Sequence, residues 1–368
     1  MKKAFCVVFC AAFFAVCAFF SLGMLIPGAS VAAEGAEKPV LVEDGKLQSG
    51  FGEAFETWFS RSFAYRSYVV DAFSALRETC FRTGNDQVIV GRDGFLFFAE
   101  TTADYEGSDP MTEEELNAAA DALLALYHYA QENGAAFLFA PAPNKNTIYP
   151  EKMPGRYARN TGESDLDRLF ALLGEREIPF LDVRPLLLRA KEDGQGLVYH
   201  RRDTHWNAAG AEIAAEAILD AFGIDRVAVG LSAETCKAEG DLESLLYPGV
   251  SRTEEDTVRV YESLFTYKGS YKTPMDMRSL TQSGGADGKL TIFRDSFGSA
   301  LIPPLAAAVK EVSFLRAMPY RMELDPNGSA PQYVVVEIAE RNLRSLIGSD
   351  ENVRARSAGE TETNKDGR

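Results

Sequence analysis

Histidine is scarce in this chain: His128, His200 and His205 are the only three in 368 residues. Any imidazole, whether base for a nucleophile or ligand for a metal, must come from that short list. Cysteine offers little more. Three of the five, Cys6, Cys10 and Cys17, lie in the first 17 residues, which leaves Cys80 and Cys236. Neither belongs to a CxxC pair or has a histidine nearby in sequence, so a zinc site and a dense disulfide framework are both excluded, while one disulfide or two separate thiols remain open. No run of Lys and Arg occurs, and the formal net charge is -16. A nucleic-acid partner is therefore not expected, because phosphate binding needs a basic footprint. There is no internal repeat, and nothing calls for a metal or an organic cofactor.

What is present begins at the N-terminus. Lys2 and Lys3 precede an uncharged apolar run over residues 4–26, followed by Pro27, Gly28 and small residues up to Ala33. This is the pattern of an export signal, and the run is also long enough to cross the hydrocarbon of a bilayer. Cleavage before Glu34 and retention as a membrane anchor are both compatible with it. Residues 1–33 are read as signal or anchor, 34–87 as a helical lead-in, 88–347 as the main domain and 348–368 as a disordered polar tail.

Beyond the lead-in, Asp93-Gly94 between apolar runs at 88–90 and 95–98 predicts a hairpin. Thr112 and Glu115 form a capping box that opens a helix ended by Gly134. Apolar strands are then expected at 135–140, 179–183, 289–293, 312–315 and 333–338, with helices begun by Ser164 or Asp165 and by Asn207. Residues 223–288 read as a less regular insertion bordering the site. Strands separated by helices predict an α/β fold with a mostly parallel sheet, whose reactive loops lie at the carboxyl ends of the strands. Three loops qualify, at 141–149, 199–206 and 294–299.

Ser296 follows an apolar strand directly, in Arg294-Asp295-Ser296-Phe297-Gly298, where a hydroxyl would be exposed beside helix N–H groups. The competing role for a serine there is a helix N-cap. His205 stands two residues after Asp203 in Asp203-Thr204-His205-Trp206-Asn207, so an extended backbone puts carboxylate and imidazole on one side. Asp203 would orient His205, and His205 would take the serine proton. Turn and cap roles for Asp203 and Asn207 remain the alternative. In the Pro141–Pro150 stretch, Asn144, Lys145 and Asn146 are candidates for polarising a carbonyl or holding an acceptor, as are Arg294 and Trp206 beside the central residues.

Together these segments resemble the DHHW family and its relatives, the alginate O-acetylation proteins of the AlgJ and AlgX type in the SGNH-hydrolase superfamily. The resemblance runs from Phe51 to about Leu346. It rests on the order and spacing of five blocks: residues 88–97, 143–150, 203–207 and 293–298, and Glu337-Ile338-Ala339-Glu340-Arg341. It implies a three-layer α/β/α sandwich, circularly permuted because His205 precedes Ser296, and a triad of Asp203, His205 and Ser296. It also implies an O-acetyltransferase acting outside the cytoplasm on an envelope polysaccharide, supplied with acetyl groups by a membrane-bound O-acyltransferase. A carbohydrate acetyl esterase and a non-catalytic glycan-binding scaffold are the alternatives.

Overall fold

A computed structural model of the chain describes residues 2–24, 26, 38–43, 45–194, 196–225, 232–250, 252–261, 263–269, 277–316 and 330–351. The cleavage position before Glu34 and most of the expected tail lie outside these residues. The chain divides into two compact units, one of Met1–Gly84 with Ser244–Ser251 and the other of Asn85–Glu243 with Arg252–Arg368.

The first unit holds helix α1 (Lys2–Gly23), a short ladder of β1 (Val42–Glu43) and β2 (Lys46–Leu47), and the helices α2 (Phe51–Ser62) and α3 (Arg66–Leu76). Among the described residues, α1 alone is long and apolar enough to cross a membrane, with a mean hydropathy of 2.6 over Phe5–Gly23. Ser244–Ser251, expected within the main domain, belongs to this unit instead. The physical reason is a set of side-chain bonds: the Gly249 N–H donates to Asp71 Oδ1 at 3.1 Å, and the Tyr247 hydroxyl donates to Glu78.

The second unit opens with the expected hairpin, β3 (Val88–Val90) against β4 (Leu96–Phe98). Asp93 and Gly94 both take positive φ, at 55° and 79°, the backbone such a tight turn requires. After α4 (Thr102–Glu106), the Thr112–Glu115 capping box opens α5 (Glu113–Glu132). Then come β5 (Ala136–Phe139), α6 (Lys145–Ile148), α7 (Asp165–Glu175), α8 (Arg184–Glu192) and α9 (Ala208–Ala221). The expected strand at 179–183 does not form; it makes one bridge, Phe180 to Phe139. Pro179 has no N–H to give a ladder, and Asp182 turns the chain by accepting from the Arg184 N–H.

Residues 223–288 are more regular than expected. They hold the antiparallel pair β6 (Ala233–Glu239) and β7 (Thr253–Arg259), with α10 (Asp241–Leu246) between them, and two further sheet strands, β8 (Phe265–Lys268) and β9 (Arg278–Ser283). The chain then runs through β10 (Ala286–Phe293), α11 (Ile302–Ala308), β11 (Val309–Leu315) and β12 (Tyr333–Val336). The sheet has six strands in the order β5-β12-β10-β11-β9-β8. The first four are parallel; β9 runs antiparallel to β11, and β8 antiparallel to β9.

Register explains the three layers. Leu138, Val335, Ile292 and Phe314 pair in a row across the four parallel strands, and all four enter one core with Leu187 of α8, Ile218 of α9 and Leu305 of α11. The next residues, Phe139, Val336 and Phe293, face the other core with Leu123 of α5 and Leu169 of α7. Period-two alternation with both faces apolar gives strands buried on each side, as parallel sheets require. The same register ends β5, β12 and β10 in line, so the chains leaving Phe139, Val336 and Phe293 emerge at one edge. The packed chain also extends past the expected limit of the domain, since Ser349 and Asp350 are buried.

Candidate active site

Ser296 begins the turn that leaves β10. Its side chain makes no capping bond to the short 3-10 turn Phe297–Ser299, and it is partly exposed. Asp295 provides the fixing instead. One of its oxygens accepts from the Phe297 N–H at 2.9 Å, and the other accepts from the Ala339 N–H at 2.8 Å and Asn342 Nδ2 at 3.1 Å. This carboxylate therefore ties the exit of β10 to the exit of β12. Gly298 passes so close to its neighbours that an added Cβ would lie 2.5 Å from Arg294 Cβ and 2.6 Å from Glu337 Oε2. No other residue fits there without displacing the turn. Among the described residues no group accepts from the Ser296 N–H, which leaves that donor beside Oγ available for a developing oxyanion.

His205 arrives from the loop between α8 and α9. Its Nε2 lies 2.8 Å from Ser296 Oγ and its Nδ1 lies 2.7 Å from Asp203 Oδ1, so the three side chains form one hydrogen-bonded line. The same Asp203 oxygen accepts the His205 backbone N–H at 2.8 Å, and its other oxygen accepts the Asp241 N–H at 2.8 Å. Burial pushes the Asp203 carboxyl up, but the His205 side chain and these N–H groups outweigh it and hold the carboxyl well below the usual carboxylate range. The residue is an anion at neutral pH.

The other two histidines lie elsewhere. His128 stacks on Tyr127 on α5, and His200 faces Glu254 at 3.5 Å and Asp256 at 3.6 Å. Sequence alone shows no carboxylate for His200 because these come from β7.

The loop candidates are positioned differently from their expected role. Lys145 is buried, and its Nζ donates to three backbone carbonyls, those of His200 at 3.2 Å, Arg201 at 3.1 Å and Asp203 at 2.6 Å. Three acceptors match the three N–H bonds of an ammonium, and Phe95 and Phe97 lie beneath it. Burial pulls its pKa down to about 7, against the attraction of Asp203, Asp241 and Glu254. Lys145 therefore holds the histidine loop and has no N–H left for a substrate. Asn144 donates through its side chain to Asp104 and through its backbone to Glu340, and Asn146 donates to Thr101. Arg294 is fully buried and bonds the Asp295 carbonyl and Ser299 Oγ, which supports the serine turn from inside.

Trp206 is buried as well. Its Nε1 donates to the Phe297 carbonyl at 3.0 Å, and its ring meets Phe297 edge-on at 5.5 Å. The residue after the histidine thus grips the residue after the serine. Trp206→Phe removes that bond while keeping most of the packing, so we expect a loss of about 1 kcal/mol in stability. Urea unfolding would measure it, and an unchanged midpoint would show that the Ala300 N–H, which already meets the Phe297 carbonyl at 3.3 Å, suffices.

Two features escaped the sequence reading. Asp241 stands 36 residues beyond His205, with no motif to mark it, yet its Oδ2 lies 3.7 Å from His205 Nδ1. Arg341, at the end of the fifth block, places its guanidinium over Phe297 at 5.3 Å. Ligand atoms of Asp203, His205 and Asp241 lie within 4.8 Å of one another, near enough to hold a cation. The Nδ1 of His205 is already engaged by Asp203, however, and a metal there would have to displace that bond.

Residues 88–259 match the family model of the SGNH hydrolase-like domain of the acetyltransferase AlgX. The probable alginate O-acetylase AlgJ of Pseudomonas putida is 25% identical over 234 residues, covering 61% of this chain and 59% of that protein. Its counterpart in Pseudomonas aeruginosa is 28% identical over 191 residues, covering 52% of this chain and 45% of the relative. The chain thus spans roughly half the length of these relatives. In fold it is similar to the O-acetyltransferase domain of Pseudomonas putida AlgJ, with a TM-score of 0.51 at 22% identity, over 70% of this chain and 92% of that one. It is likewise similar to Bacillus cereus PatB1, with a TM-score of 0.51 at 14% identity, over 70% and 97%.

Proposed function

We propose that this chain, whose residues 88–259 match the SGNH hydrolase-like domain of the acetyltransferase AlgX, is an O-acetyltransferase that moves acetyl groups onto a polysaccharide outside the cytoplasm. The observation that carries this reading is the unbroken line from Asp203 through His205 to Ser296 Oγ. Nucleophile, base and orienting carboxylate are all within hydrogen-bond reach, which is the geometric requirement for acyl transfer through a covalent ester.

In the first half-reaction Ser296 Oγ attacks the acetyl carbonyl while His205 Nε2 accepts its proton. The tetrahedral oxyanion takes a hydrogen bond from the Ser296 N–H, and the leaving group departs with the proton from His205. In the second half-reaction His205 removes the proton of a sugar hydroxyl, whose oxygen attacks the acetyl-serine. Collapse returns the proton to Oγ and leaves the acetyl group on the sugar. Asp203 stabilises the imidazolium in both halves.

The second compact unit, Asn85–Glu243 with Arg252–Arg368, would carry this chemistry. As signal or anchor, α1 would direct the domain to the envelope, where a membrane-bound O-acyltransferase would supply the acetyl groups.

The test is mass spectrometry after incubation with an activated acetyl ester. One acetyl group is expected on the Ser296 peptide and on no peptide of Ser296→Ala. An added envelope oligosaccharide should discharge that ester faster than buffer does, with the acetyl group recovered on the sugar. Hydrolysis indifferent to every glycan would favour an acetyl esterase, and absence of labelling in the folded protein would favour a glycan-binding scaffold.

A further inference from the structure

Asp241 is held beside the imidazole more firmly than an incidental neighbour would be. Its Oδ1 accepts the Thr204 N–H at 2.7 Å and the Leu242 N–H at 2.6 Å, which fixes the side chain and leaves Oδ2 pointing to the histidine edge. Its backbone N–H holds the outer oxygen of Asp203 at 2.8 Å. The preceding residue is glycine, and a Cβ on Gly240 would lie 2.1 Å from the Arg202 carbonyl oxygen. Only glycine lets this segment pass so close to the 202–203 backbone, so the approach of the second carboxylate is built into the chain.

We propose that Asp241 is a second positioning carboxylate for His205, one that takes over the Nδ1–H when Asp203 is lost. The inference rests on the acyl-transfer reading of the same site. At 3.7 Å, Oδ2 is too far for a hydrogen bond in the resting arrangement but near enough to attract an imidazolium, and a shift below 1 Å would close the gap. Asp203 then sets the resting geometry, and Asp241 adds a second negative charge on the same edge of the ring.

A double-mutant cycle on turnover of a chromogenic acetyl ester tests this, with Asp203→Asn, Asp241→Asn and the pair in the full chain. Asparagine at 241 keeps an oxygen for the Thr204 and Leu242 N–H groups while removing the charge. Asp203→Asn alone is expected to lose about 100-fold, less than the roughly 10,000-fold seen when a serine triad loses its sole carboxylate. Asp241→Asn should cost under about fivefold in the native background but about 30-fold or more in the Asp203→Asn background. A purely structural role for Asp241 would give the same factor in both backgrounds, and that equality would overturn the proposal. Asp241→Ser, which keeps an acceptor without a charge, repeats the comparison if the double amide melts early. Ser296→Ala separates the two levels: if it turns over like the native protein, the acyl-transfer reading itself fails, whereas an inactive Ser296→Ala with equal factors overturns the Asp241 role alone.

Discussion

Ser296→Ala is expected to lower acetyl-ester turnover at least about 10,000-fold, the scale on which serine triads fail when the nucleophile is removed. The change deletes one oxygen from a partly exposed position, and the His205 side chain, whose Nε2 loses its partner, is 26% exposed. Stability should therefore move by no more than about 0.5 kcal/mol. The capping role makes the opposite forecast, a stability loss of about 1 kcal/mol with little change in chemistry. Turnover and thermal melting of the same sample separate the two, and a melting loss with retained activity would return Ser296 to a structural part.

Lys145→Met should be the most damaging single change to the fold around the site. Methionine matches the length of the lysine stem but offers no donor, so the carbonyls of His200, Arg201 and Asp203 lose their shared partner in a part-buried setting. The Arg201 carbonyl keeps the Leu96 N–H at 2.8 Å, so two carbonyls are left unpaired; at about 1–3 kcal/mol each, a total of at least about 2 kcal/mol is expected, which corresponds to a fall in Tm of roughly 4 °C or more. Activity should fall further than stability alone explains. A histidine loop loosened by about 1 Å can cost on the order of 100-fold in rate. Lys145→Arg should not rescue it, because a planar guanidinium cannot direct three donors to three carbonyls around one nitrogen. If Lys145 instead contacted the substrate, Lys145→Met would lower activity and leave Tm unchanged.

Much of this site was legible before any coordinates. The strand before Ser296, the Asp-x-His spacing, the Asp93-Gly94 turn and the Thr112 capping box are local patterns in which cause and effect lie a few residues apart, so periodicity and turn chemistry suffice. The resemblance, carried by five ordered blocks, added the expectation of acetyl transfer. Roles that depend on burial are not legible in this way. Lys145, Arg294 and Trp206 are polar or amphipathic residues near reactive positions, and on sequence they stand out as candidate substrate contacts. Their side chains turn inward and hold the loops that carry His205 and Ser296.

What the sequence determined by itself is the α/β alternation, the apolar N-terminal segment and the candidacy of the three residues that the structure brings into line. Local spacing makes a serine, a histidine and a carboxylate at those positions candidates beside their cap and turn roles, the family resemblance joins them into a triad, and the scarcity of histidine narrows the choice of base. Only the tertiary structure decided which groups hold them there. The three carbonyls that gather on Lys145 come from a loop 55 to 58 residues further along the chain. Asp241 reaches His205 through a glycine that permits two backbones to touch, and Asp295 joins two strand exits separated by 44 residues. Such contacts are set by sheet register and close packing, which bring distant segments to one edge and leave no periodic trace in the sequence.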